Sequence, residues 1–103
     1  MKKTFQLVHP KIKPARLIEA VRRDVKKYIK REKRKSLPQG VDYWDFDCKY
    51  GPTEAKAEII LTSEISKCIS EAEAENLDSF YLEILAKPGH KKNPKTFETL
   101  DKN

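Results

Sequence analysis

Hydrophobic and polar positions alternate over residues 4–9, with Phe5 and Leu7 on one side and Thr4, Gln6 and Val8 on the other. A period of two predicts a half-buried strand. His9-Pro10 and Lys13-Pro14 interrupt it, and Pro14 suits the first turn of a helix, where no backbone N–H is required. Over residues 15–36, Leu17, Ile18, Val21, Val25, Tyr28 and Ile29 recur at spacings that form one stripe, so this stretch predicts an amphipathic helix ended by Leu37-Pro38-Gln39-Gly40. Alternation returns over residues 43–50. Trp44, Phe46, Cys48 and Tyr50 share one face, and Tyr43, Asp45, Asp47 and Lys49 share the other.

Gly51-Pro52 follows and reads as a two-residue hairpin turn with Gly51 at positive φ. That turn would pair Tyr50 with Thr53, Phe46 with Ala57 and Trp44 with Ile59. It would also set Lys49 against Glu54 and Asp47 against Lys56, opposite charges across the ladder. A second helix begins near Ser63, with Ile65, Cys68, Ile69, Ala72 and Leu77 inward and Glu64, Glu71, Glu73 and Glu75 outward. Residues 79–87 predict the last strand, with Phe80, Leu82, Ile84 and Ala86 inward and Pro88-Gly89 as its stop.

Strand, helix, strand, strand, helix, strand is the order of the ferredoxin-like βαββαβ fold, an α+β class. Right-handed crossovers then give a four-stranded antiparallel sheet with both helices on one face and the first and third strands central. Residues 1–89 read as a single domain, and residues 90–103 as a basic, flexible C-terminal tail.

The chain has 103 residues, enough for one core. Its mean hydropathy is −0.77, yet the apolar residues fall in periodic blocks, which argues for a folded domain. The start, MKKTFQLVHP, is basic without an apolar core, and no apolar run approaches the roughly 18 residues of a membrane span. The expectation is a cytoplasmic protein with no membrane partner. Cys48 and Cys68 belong to no CxxC pair and lie on apolar sides, so they read as buried, reduced thiols.

Charge changes the picture by its position. Residues 1–40 carry +11, residues 41–86 carry −8 and residues 87–103 carry +3, within a net charge of +6. The first helix bears Arg22, Arg23, Lys26, Lys27, Lys30, Arg31, Lys33 and Arg34 off its apolar stripe, and Lys91 and Lys92 of the tail add to them. Such cations can follow a phosphate backbone without reading sequence. The plainer alternative is a solvated helix. On the outer sheet face, the expected register sets Asp45 opposite Glu58 with Asp47 close by. That acidic trio is a candidate for a divalent cation or for a protein interface. No metal site is otherwise expected. His9 and His90 fall at opposite ends of antiparallel strands, which argues against a shared catalytic or zinc site.

Three relatives of the fold fit these residues poorly. An RNA recognition motif would show aromatics on the outer face of the central strands, where Gln6, Val8, Lys56, Glu58 and Ile60 are expected. A metal carrier would need a CxxC, and an acylphosphatase a glycine-rich loop, where this chain has HPKIKPAR. The segments KTFQLVHPKIKPAR, DYWDFDCKYG and SFYLEILAKPGH resemble a family of short, uncharacterised bacterial proteins over residues 2–92. The resemblance implies a bacterial, cytoplasmic setting and brings no assigned activity, cofactor or catalytic residue. The reading is therefore a non-enzymatic, cofactor-free domain that binds polyanions, RNA or DNA, through its first helix and tail without an aromatic platform. The alternative is a protein-interaction or homodimerisation module using the exposed sheet face.

Overall fold

The structure, a computed structural model, describes residues 1–90. Its elements are β1 (Lys2–Gln6), α1 (Pro14–Lys33), β2 (Tyr43–Gly51), β3 (Glu58–Ile60), a 3-10 turn (Thr62–Glu64), α2 (Ile65–Ala74) and β4 (Ser79–Gly89). The βαββαβ order and the antiparallel four-stranded sheet are those expected. The tail, Lys91 and Lys92 included, lies outside the described residues.

Within the sheet the strand order is β1-β4-β2-β3, so the second and fourth strands are central. This corrects the expectation of central first and third strands. Both arrangements leave β1 and β2 parallel with one antiparallel strand between them, and here β4 fills that slot. Its run Phe80-Tyr81-Leu82 is buried on both faces, as a central strand requires. Pro88 is tolerated because the N–H of Ile84 points to Met1 of the β1 side, and so the nitrogens of residues 86 and 88 point that way too. There β1 has already ended, so the proline breaks no ladder bond.

The hairpin register also departs from expectation. Tyr50 pairs with Glu58, Lys49 with Ile59 and Cys48 with Ile60. The offset from the expected pairing is an odd number of residues, which exchanges the faces of β3. Ile59 therefore points outward and is 82% exposed, while Ile60 packs against the core. Gly51 is not a positive-φ turn residue. It ends β2 where a Cβ would lie 2.6 Å from the Ala57 Cα, so it permits a close backbone approach instead. The chain then turns through residues 52–57, with the Lys56 N–H donating to the Thr53 carbonyl at 3.2 Å and to its Oγ1 at 3.3 Å. The inward face of β2 is as expected, with Phe46 and Cys48 buried and Trp44 and Tyr50 packed beside them.

Both helices cover this face. Ile18, Val21 and Val25 of α1 and Ile65, Ile69 and Ala72 of α2 meet Phe5, Phe46, Phe80, Leu82 and Ile84 in one core. The Phe80 ring lies 5.5 Å from that of Phe5 and 5.6 Å from that of Tyr50. α2 ends in a Schellman motif. Asn76 takes φ 55°, and the N–H groups of Leu77 and Asn76 donate back to Ala72 and Glu73 at 3.1 Å each. Phe80→Ala should cost about 3–5 kcal/mol of unfolding free energy, whereas Ile59→Ala should stay within about 0.5 kcal/mol. Denaturant titration of the two variants checks the register, since a core loss at Ile59 would restore the other face assignment.

Candidate nucleic-acid interface

Helix α1 starts with Pro14 in its first turn, has no side-chain N-cap and carries no acid there. Its last turn holds Lys30, Arg31 and Lys33, where positive charge offsets the exposed carbonyls and the helix dipole. At about 100° per residue, Arg16, Arg23, Lys27, Lys30 and Arg34 line up diametrically opposite the buried Ile18, Val21 and Val25. Arg23, Lys26, Lys27, Lys30, Lys33 and Arg34 are all exposed. Among the described residues the ion pairs are Lys35–Glu32 at 2.8 Å and Lys87–Asp47 at 2.6 Å, and neither involves these six.

Two cations of the expected set have other occupations. Arg22 lies across the groove to α2, donating to Ser66 Oγ at 2.8 Å and Ser70 Oγ at 2.6 Å. It belongs to the packing between helices. The Arg31 guanidinium sits 5.7 Å from the centre of the Tyr28 ring, a cation–π contact that orients the side chain along the helix flank.

The outer sheet face is corrected more deeply. Asp45 stands opposite Lys87 across the β2–β4 ladder, and Lys87 Nζ donates to Asp47 at 2.6 Å. That contact raises the Lys87 pKa. Glu83 stands between Lys2 of β1 and Lys49 of β2. Glu58 faces the other way, beside Tyr50, so the trio Asp45, Asp47 and Glu58 does not assemble. No group of three or more metal-ligating side chains occurs among the described residues. The physical reason is the odd register offset of β3, which turns Glu58 to the face opposite Asp45 and Asp47. The same face carries Tyr43, as expected, and Tyr81 of β4.

Tyr43 and its neighbour Trp44 are what reading the sequence missed. With Lys33, Leu37 and Asp42 they line a cleft of about 430 Å³ at the C-terminal end of α1. The available signal was the short link over residues 34–42, which forces the start of β2 back against the end of the basic helix. His9 turns out to organise a loop, its Nδ1 accepting from the Lys11 and Ile12 N–H groups at 3.0 and 3.1 Å. Cys48 and Cys68 are free and buried, and burial raises both thiols above their ordinary pKa.

A family of unknown function, DUF6172, has a model that matches residues 1–95. The chain belongs to that family. No curated protein matches it, and no solved structure does. Membership of DUF6172 assigns no chemistry to α1 or to the sheet. No helix among the described residues is long and apolar enough to cross a membrane.

One outer-face group makes a pH prediction. Burial of Tyr81, then the hydrogen bond it donates to Glu83 Oε1 at 2.8 Å, push its phenol from 10.0 up to about 12. The unfolded chain releases this proton first, so the contribution to stability is intact below pH 10 and is lost as pH rises toward 12. Ultraviolet titration of the tyrosinates should show a late step that Tyr81→Phe removes. An unchanged titration in that variant would place the high pKa elsewhere.

Proposed function

We propose that this chain binds polyanions, nucleic acid foremost, through the solvent face of α1. The observation that carries the reading is the set of Arg23, Lys26, Lys27, Lys30, Lys33 and Arg34, exposed and without an anionic partner among the described residues. A 20-residue helix is about 30 Å long, so these cations form a rod that can track a run of phosphates. A helix carrying only enough charge for solubility would gain from intervening acids, which relieve self-repulsion. Between Val25 and Arg31 this helix has none.

A second reading, self-association, is favoured by a different observation. The free edge of β3 presents Ile59 and, just beyond it, Leu61, which are 82% and 67% exposed. β1, the opposite edge, carries Lys2 and Lys3, which discourage pairing. A second copy laid antiparallel about Ile59 would set Ile59 against the partner's Ile59, and Leu61 against the partner's Ala57, on one face.

For the main reading, neutralising about six phosphates should lower affinity roughly a thousandfold between about 50 and 200 mM salt. Replacing Lys27, Lys30 and Arg34 with Gln should flatten the log–log salt slope by about one unit per lost contact, with no loss of stability. Wild-type protein with no measurable binding to RNA or DNA at the low-salt end would end that reading. For the second, light scattering should find a dimer that Ile59→Lys converts to monomer, and a monomeric wild type would end it.

A further inference from the structure

We infer that the cleft joining the C-terminal end of α1 to the start of β2 stacks an unpaired base, so that the ligand is single-stranded rather than duplex nucleic acid. This rests on the polyanion reading of α1 and names the ligand class for it. The cleft is lined by Lys33, Leu37, Asp42, Tyr43 and Trp44, the two aromatics being consecutive residues of β2 that point to opposite faces of the strand. Lys30 and Arg34 lie within a turn of Lys33 on the same helix end. Phosphates running along the exposed face of α1 are therefore delivered to a cleft edged by the exposed Tyr43 ring.

The two rings are held in place. Trp44 Nε1 donates to the Lys35 carbonyl at 2.9 Å, which ties the indole to the chain just past the helix. Tyr43 Oη donates to the His90 carbonyl at 3.4 Å, and its ring lies against Gly89, where a Cβ would come within 2.3 Å of it. Their polar atoms are engaged by backbone, so what they offer a ligand is ring surface, and Tyr43 remains 40% exposed. Ring surface beside cations suits a base with its own phosphate. It suits a duplex poorly, because bases already stacked on their neighbours present no free face. Stacking of this kind tolerates any base, so weak sequence preference is expected.

Trp44 is the only tryptophan, so its fluorescence reports the site directly. The test titrates full-length protein with a labelled homopolymeric single strand, and with a duplex of the same length, at low salt. The single strand should bind more tightly and quench Trp44, and the duplex should leave the fluorescence unchanged. Tyr43→Leu, which keeps Gly89 covered, should weaken single-strand binding about tenfold. Its salt slope should stay as in the wild type, because the lost contact is not ionic. Trp44→Phe, followed by anisotropy of the labelled strand, should retain much of the affinity. Equal binding of both ligands with unmoved fluorescence would overturn the stacking site and leave the basic helix standing. Failure of both ligands to bind would overturn the two together.

Discussion

Strand β4 ties the molecule together by lying between β1 and β2 rather than at an edge. Phe80, Leu82 and Ile84 are each fully buried there, in the one core that α1 and α2 share with the sheet. Strands β1 and β2 run parallel and do not touch, so every contact between the two halves of the sheet passes through β4. Removing area from its inward face loses packing against both helices and both neighbouring strands at once. The closeness of protein packing makes such losses costly, because a cavity there has no loose neighbour to fill it.

The same placement settles the electrostatics of the outer face. Glu83 and Lys87 of β4 meet Lys2, Lys49, Asp45 and Asp47 from both sides, so the charges there neutralise one another across the ladders. Charge left over is concentrated elsewhere, on α1. Of the acids of α2, Glu64, Glu71 and Glu75 lie on the flank away from the serines that hold Arg22, and Glu73 alone lies on the α1 side, near Ile18. The domain is thus two-sided in potential, with a basic ridge on α1 and an acidic flank on α2. A field of that shape orients and attracts anionic ligands before contact is made.

Much of this was legible in the sequence. The period of two in β2, the stripe on α1 and the inward set of α2 all appear in the structure with the faces expected of them. The strand order was not, because βαββαβ allows either β3 or β4 to slot between the first two strands. Phe80-Tyr81-Leu82, apolar on both faces, was the cue that β4 takes the buried place. The hairpin register failed for a local reason, since Gly51 serves the close approach of Ala57 and not a left-handed turn. A five-residue shift, being odd, then reverses the faces of a whole strand, and with it went the acidic trio of Asp45, Asp47 and Glu58. The basic helix was fully readable as composition. That Arg22 packs between helices, and that Trp44 closes on the end of α1, depends on tertiary contacts no periodicity encodes.

The direct measurement of whether α1 is the ligand face is a nuclear magnetic resonance titration of the folded protein with a short single-stranded oligonucleotide. Amide shifts should concentrate at Arg23, Lys27, Lys30 and Arg34 and extend to Tyr43 and Trp44, leaving Glu64, Glu71 and Glu75 unmoved. Shifts confined to β3 and the outer face of the sheet, or none at any residue of α1, would contradict the assignment.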